Sequence, residues 1–429
     1  MYAREKEYLE RLELLGTRLG LERARRFAAA LGNPQYAYRT VHVVGTNGKS
    51  STAHFLSAVL SAHGLRVGTY VSPHLVSLAD RQLLDGRPAT DQEFFELVRR
   101  LRPLAEEVNA GLPQGEEITQ FEFLTLVALT YFKEADCDVA VVEAGLGGRC
   151  DATSIIRSEV QVLTSIALEH TELLGNDLLS ILEEKAAVIS RDGKVMAGEL
   201  APHLEERLRA ICEERGAEVS FLHVDASVLD STRDDGFDVL GLRDFYPDIR
   251  LESLGRYQRA NAVLAIGAAE LFLDRALDGE ALRRGLAAAR TPGRLEVVSE
   301  RPLCILDGAH NPAGMEELIA SVDHMLGNRR LIGVMAISRD KSAREMVERL
   351  APRCDILFAT QSTNARSLAA EDLAAIVEGL EDAPEVFIDS DACSALRSAY
   401  NLASSNQVVL VAGSLYLISD IKRGLGHGA

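Results

Sequence analysis

The sequence predicts an α/β fold in two parts. The first is an N-terminal P-loop domain with a parallel-rich sheet flanked by helices, and the second is a C-terminal Rossmann-like α/β domain. Three observations carry this prediction. Short aliphatic and β-branched runs alternate with helical segments, which is the pattern of parallel strands joined by crossover helices. The first strand, residues 40–44, runs directly into Gly45-Thr46-Asn47-Gly48-Lys49-Ser50-Ser51-Thr52 and then an apolar helix. The alternation breaks at Thr291-Pro292-Gly293-Arg294 and then resumes, so the domains are placed at 1–293 and 294–429.

Composition narrows the class of protein. A chain of 429 residues can hold two or three domains, and 47% hydrophobic with 26% charged residues is an ordinary globular balance. Sixty-four acidic against 46 basic residues give a net charge of −18, which argues against a nucleic-acid partner. The first residues show no signal-peptide pattern and no run approaches the length of a membrane span. Six scattered cysteines lack metal-ligand spacing and suit a reducing compartment. A cytoplasmic monomer that does not bind membrane is expected.

Taken in order, residues 4–31 read as helical, stopped by Gly32-Asn33-Pro34. After the strand at 40–44, the glycines of the next loop let backbone N–H groups close around anionic oxygens at a helix amino end. Lys49 then suits the β/γ-phosphates of a nucleotide, and Ser50 or Ser51 suits Mg²⁺. A second strand, residues 66–71, ends in Ser72-Pro73-His74-Leu75, and residues 76–90 read as a loop or short hairpin. Thr90-Asp91-Gln92-Glu93 is a capping-box pattern opening a helix over 91–108, and another helix opens at Thr119-Gln120-Phe121-Glu122. The strand over 138–143 ends in Glu143 and passes into a glycine-rich loop and Asp151. A strand over 160–166 leads to Glu169-His170 and a helix carrying Glu184-Lys185-Ala186. Residues 201–255 mix a charged helix with short strand-like pieces, and residues 255–273 form an Ala/Leu-rich helix. Strands are expected again at 303–307, 330–335, 356–359 and 407–411. The polar candidates of the first domain cluster after strands, the edge where α/β sheets bind ligands.

The motifs Gly45-Thr46-Asn47-Gly48-Lys49, Ser72-Pro73-His74-Leu75, Phe121-Glu122 and Glu143-Ala144-Gly145-Leu146-Gly147-Gly148-Arg149-Cys150-Asp151-Ala152-Thr153 are followed by four more. These are His170-Thr171-Glu172-Leu173-Leu174-Gly175, Glu184-Lys185-Ala186, Leu306-Asp307-Gly308-Ala309-His310-Asn311-Pro312 and Gly413-Ser414-Leu415-Tyr416-Leu417. In this order they resemble the folylpolyglutamate synthases and dihydrofolate synthases of the Mur ligase superfamily, over residues 16–420. The resemblance implies an ATP-dependent ligase that activates a folate or pteroate carboxylate as an acyl phosphate and joins it to L-glutamate. It implies that Lys49 and the loop Gly45–Ser51 hold ATP, and that Ser72, Glu143 and His170 bind Mg²⁺. Lys185 matches a lysine that becomes carbamylated and holds a second Mg²⁺. Asn261, Arg294, Asp307, His310 and Tyr416 match nucleotide-facing positions, with Arg294 and His310 reaching phosphate from the second domain. Phe121, Asp151 and Arg81 are the candidates for the folate end: an aromatic face stacks on a pterin, and a carboxylate accepts its N–H donors.

Taken singly, Glu143 also fits a strand-end surface carboxylate, His170 a helix cap, and Lys185 a solvated helix lysine. Phe121 fits core packing, and Arg81 an exposed loop arginine. The sequence departs from the family pattern at Ser50, Asp80, Ser154, Glu169 and Ser342. Three readings therefore stand: a folate ligase, a related ligase for another pterin-like or carboxylate acceptor, and a P-loop NTPase switch with Glu143 as its acid. The switch leaves Lys185 and the motif 307–312 without a role.

Overall fold

A computed structural model describes residues 2–230, 236–253, 255–327, 329–404 and 406–426. The chain forms two compact units. One comprises Met1–His74, Leu78–Glu252 and Arg259–Arg290, and the other Leu75–Ser77, Ser253–Gln258 and Thr291–Ala429.

The first unit is built on an eight-stranded sheet. Its strands are β1 (Arg39–Val44), β2 (Val67–Tyr70), β3 (Gln82–Leu84), β4 (Arg87–Pro88), β5 (Val139–Glu143), β6 (Val160–Leu163), β7 (Lys194–Ala197) and β8 (Glu218–Phe221). They lie in the order β4-β3-β2-β5-β1-β6-β7-β8, parallel from β2 to β8, with β3 antiparallel to both of its neighbours, β2 and β4. Every residue of β2, β5 and β6 is buried, as strands covered by helices on both faces require. Register sets the geometry of the ligand edge. Val43 lies opposite Glu143 and Val44 opposite Leu163, so the turn after β1, the carboxylate ending β5 and the residues after β6 emerge side by side. A separate three-stranded antiparallel sheet comprises β9 (Ser227–Asp230), β10 (Phe237–Leu240) and β11 (Phe245–Ile249), in the order β11-β10-β9.

The helices largely follow the expected pattern, with one correction near the amino end. Residues 4–31 are not one helix but two, Ala3–Glu13 and Glu22–Ala30, separated where Gly16 and Gly20 adopt φ of +67° and +129°. The expected capping box of Thr90 with Glu93 is present on helix Asp91–Ala110, and the structure adds a second, Thr119 with Glu122, on helix Gln120–Glu134. The second of these helices buries Phe123 and Phe132, and Gly68 on β2 leaves the space that the Phe132 ring fills.

The second unit carries its own core on a six-stranded sheet. Its strands are β12 (Glu296–Glu300), β13 (Leu303–Leu306), β14 (Arg330–Met335), β15 (Cys354–Ala359), β16 (Glu385–Ile388) and β17 (Gln407–Ala412), in the order β12-β13-β17-β14-β15-β16. Only β12 runs antiparallel. The two outer strands were not expected. Both are half-exposed edge strands carrying glutamates, so neither shows the apolar run that marks a central strand.

Candidate active site

Residues after β1 build a phosphate cradle. Gly45 and Gly48 adopt φ of +148° and +84°, and Gly48 caps helix Lys49–Ala62. A methyl group at Gly45 would collide with the Thr164 hydroxyl, and one at Gly48 with the Asn261 amide, so both positions exclude larger residues. The segment after β6 braces the loop. Thr46 N–H donates to the Ser165 carbonyl at 2.8 Å, Asn47 N–H to Ser165 Oγ at 3.0 Å, and Thr164 Oγ1 to the Asn47 carbonyl at 2.6 Å. Lys49 folds over the loop, its Nζ donating to the carbonyls of Gly45 at 3.1 Å and Thr46 at 3.0 Å. Thr164 and Ser165 were not foreseen. Their signal was only a hydroxyl pair ending a strand, and only the register places them under the loop.

The candidate metal position starts from Glu143, which is 1% exposed and therefore no surface carboxylate. Its two oxygens accept from Ser50 Oγ, each at 2.9 Å, and Oε2 also accepts from the Ser72 N–H at 3.1 Å. The departure at position 50 thus supplies a hydroxyl to this carboxylate. His170 lies at φ +50° ahead of the short helix Thr171–Leu174, makes no capping bond with its side chain, and has Nε2 3.7 Å from the Glu169 carboxylate. Among the described residues no three His, Cys, Asp or Glu side chains gather into a group that could hold a metal ion by themselves. The buried Glu143 carboxylate and the Ser50 hydroxyl offer hard oxygen donors of the kind that fit Mg²⁺.

Lys185 differs from its single-residue reading. It is no solvated helix lysine: its side chain is buried, and Nζ donates to the Gly45 carbonyl at 2.7 Å. Burial, then the Lys49 ammonium, push its pKa down to about 7, with Glu169 and Asp151 opposing. Lys185, the phosphate loop, Glu143, Ser72 and Asn261 therefore form one connected cluster in the first unit.

A second cluster surrounds the glycine-rich loop after β5. The half-buried Phe121 ring lies against Gly145, where a side chain would overlap it, and its centroid is 6.2 Å from that of Tyr70. Asp151 is buried and caps the turn Ala152–Ile155. Its Oδ2 accepts the Leu146 N–H at 2.7 Å, and Oδ1 accepts from the Thr153 N–H at 3.0 Å and hydroxyl at 2.5 Å. Burial raises its pKa, against those hydrogen bonds. Ser154 keeps the loop closed by donating to the Gly148 carbonyl at 2.5 Å. Arg81 is half-buried in the turn Leu78–Arg81 and places Nε 3.3 Å from His74 Nδ1.

In the second unit, Asp307 is buried at the end of β13. It accepts from the Tyr257 hydroxyl at 2.7 Å, Leu295 N–H at 2.9 Å and Ala309 N–H at 2.8 Å. This carboxylate shapes the turn that presents His310, whose Nδ1 lies 2.9 Å from the Gly308 carbonyl. A methyl group on Gly308 would sit 3.1 Å from the Arg294 guanidinium, so Arg294 lies over the same turn. Tyr416 stacks with Arg366, whose guanidinium is 5.4 Å from its ring centre and bonds its hydroxyl.

Comparison with known proteins identifies the family. Residues 43–269 match the Mur ligase middle domain, and residues 293–415 match the Mur ligase, glutamate ligase domain. The chain is 35% identical over 424 residues to the dihydrofolate synthase/folylpolyglutamate synthase of Bacillus subtilis, covering 96% of each chain. It superposes on Escherichia coli FolC in complex with DHPP and ADP with a TM-score of 0.87 and 30% identity, over 99% of this chain and 98% of that one. For the Yersinia pestis bifunctional folylpolyglutamate synthase/dihydrofolate synthase complexed with AMPPNP and Mn ion, the TM-score is 0.86 at 32% identity, over 99% and 98%. With both ligase domains matched and the likeness running the length of the chain, this protein belongs to the folylpolyglutamate synthase/dihydrofolate synthase family of Mur ligases.

Proposed function

We propose that the protein uses ATP to join L-glutamate to the carboxylate of a folate-type acceptor. The observation that carries this is the cluster of Lys49, Ser50, Glu143 and Lys185 around one glycine loop. The acceptor carboxylate attacks the γ-phosphorus of ATP, giving an acyl phosphate and ADP. The glutamate amine then adds to the activated carbonyl, and phosphate leaves as the amide forms. Both partners of the first step are anions, so their approach needs compensating positive charge. Lys49 and the N–H groups of the loop and helix start supply part of it. Mg²⁺, which Glu143, Ser72 and His170 would hold, would supply the rest.

Lys185 is proposed to carry a carbamate. Its amine is buried, points into the phosphate loop, and with its pKa pushed down to about 7 is neutral in a large fraction of molecules near pH 7, the state that adds to CO₂. The product is an anion able to serve as a second metal ligand. Asn261 is assigned to the nucleotide, together with Arg294, Asp307, His310 and Tyr416 of the second unit. Asp307 acts through the turn it shapes.

Phe121 and Asp151 are assigned to the pterin, with Arg81 for an acidic acceptor group. Support comes from the DHPP bound by the E. coli relative and from the position of Phe121 over the loop that Asp151 braces. The test offers dihydropteroate, tetrahydrofolate and its monoglutamate, each with ATP and glutamate, and weighs the products. A product heavier by one glutamyl residue with at least one of these is expected. If none gains mass, the acceptor is not a folate, and the reading as a ligase for another carboxylate takes its place. The P-loop switch is set aside by membership of the ligase family.

A further inference from the structure

A buried chain of hydrogen bonds runs behind the acceptor-side loop to the strand that carries the phosphate loop. Thr153 is fully buried and gives its hydroxyl hydrogen to Asp151 Oδ1 at 2.5 Å. The same hydroxyl oxygen lies 2.8 Å from His42 Nε2. A hydroxyl has one hydrogen, so with that hydrogen on the carboxylate its oxygen accepts, and His42 carries its proton on Nε2. His42 is 1% exposed on β1, three residues before Gly45. Burial holds its pKa down to about 3, so the ring stays neutral and the direction of the chain is fixed through the neutral pH range. Beyond Asp151 the chain continues to the Leu146 N–H in the glycine loop. That loop is the surface on which Phe121 rests.

We infer that His42 and Thr153 are positioning residues for the acceptor: they orient the Asp151 carboxylate and, through it, the loop under Phe121. The inference rests on the reading of Asp151 and Phe121 as the folate end. It separates the side chain of His42 from the strand beneath it. β1 is hydrogen-bonded to β5 and β6 on its two sides, so removing the imidazole leaves the phosphate loop held by the sheet and by Thr164 and Ser165. Removing the Thr153 hydroxyl breaks two links at once and leaves a buried carboxylate short of one donor. Asp151 then has fewer constraints on its rotation.

The experiment is steady-state kinetics with ATP, glutamate and acceptor varied in turn, on Thr153→Val, His42→Leu, Thr153→Ser, His42→Gln and Asp151→Asn, each with its melting temperature. Thr153→Val and His42→Leu are expected to raise the acceptor KM about tenfold, a loss of about 1.4 kcal/mol of acceptor binding. The values of kcat and of KM for ATP and glutamate should stay within about twofold. Thr153→Ser and His42→Gln keep a hydroxyl and a donor, and should restore most of the acceptor KM. Should Thr153→Val not fold, Thr153→Ala carries the same expectation.

An unchanged acceptor KM in Thr153→Val and His42→Leu, with Asp151→Asn raising it, overturns the relay and leaves the reading of Asp151 intact. An unchanged acceptor KM in Asp151→Asn overturns that reading, and the relay with it. A uniform loss across all three substrates, unrelieved by Thr153→Ser, makes the role merely structural and also overturns the inference.

Discussion

At the scale of single residues, burial decides chemistry that residue type leaves open. Lys185 in a solvated helix would be an ordinary cation; enclosed against the Gly45 carbonyl and beside Lys49, it is poised to lose its proton. Protein equilibrated with ¹³C-bicarbonate should show a carbamate signal that Lys185→Ala abolishes, and the same substitution should lower kcat at least about tenfold. A spectrum without that signal would leave Lys185 as a buried amine only. His42 gives a prediction of opposite kind, on stability. When unfolded it binds a proton below about pH 6.5, whereas in the fold it stays neutral down to about pH 3. The unfolded state therefore holds more protons in this window, and the histidine's contribution, complete above about pH 6.5, is lost as pH falls toward 3. The slope is up to about 1.4 kcal/mol per pH unit. Urea titrations between pH 4.5 and 7 should show a shallower loss of stability for His42→Gln than for the parent protein. Equal slopes would mean that His42 is protonated in the folded state.

At the scale of elements, helix starts and strand ends place the candidates. The helix carrying Phe121 begins at a capping box whose Glu122 does two things. It closes the Thr119 cap, and it accepts from Arg23 Nε at 3.0 and 3.1 Å, with both partners buried. Arg23 belongs to helix Glu22–Ala30, so a buried ion pair fastens this helix to the one that carries Phe121. Removing Arg23 leaves the buried Glu122 carboxylate without its counter-charge, which costs about 3–5 kcal/mol, whereas Arg23 without Glu122 keeps its pair with Glu116. Arg23→Ala should lower the melting temperature markedly. Glu122→Ala should lower it as well and raise the acceptor KM, since it loosens the first turn around Phe121. The motif Phe121-Glu122 was legible in the sequence, but the division of labour within it was not, because the partner of Glu122 lies 99 residues away. Asp151 and Asp307 teach the same lesson. Each was legible as a candidate after a strand, and each spends its oxygens on donors of the protein, which only the folded loops supply.

At the scale of the whole molecule, the reaction class sets the dependence on substrates. A ligase that makes an acyl phosphate and resolves it with an amine should release ADP steadily only when acceptor and glutamate are both present. Omitting either one should reduce ADP release at least about tenfold. Undiminished release without them would describe an ATPase and would contradict the proposed reaction. No helix among the described residues is long and apolar enough to cross a membrane.

The sequence by itself determined the α/β alternation, the glycine loop and its helix, the Thr90 capping box and the ordered motifs of the ligase family. These are local patterns, or patterns in chain order, and need no third dimension. Tertiary structure alone decided which groups meet. It split the expected first helix at two glycines and added the edge strands β12 and β16. It placed Thr164 and Ser165 beneath the phosphate loop, turned Lys185 inward onto Gly45, and joined His42 to Asp151 through Thr153. The physical reason is common to all of them. Parallel strands bring distant residues to one carboxyl edge, and the burial that follows sets which donor faces which acceptor.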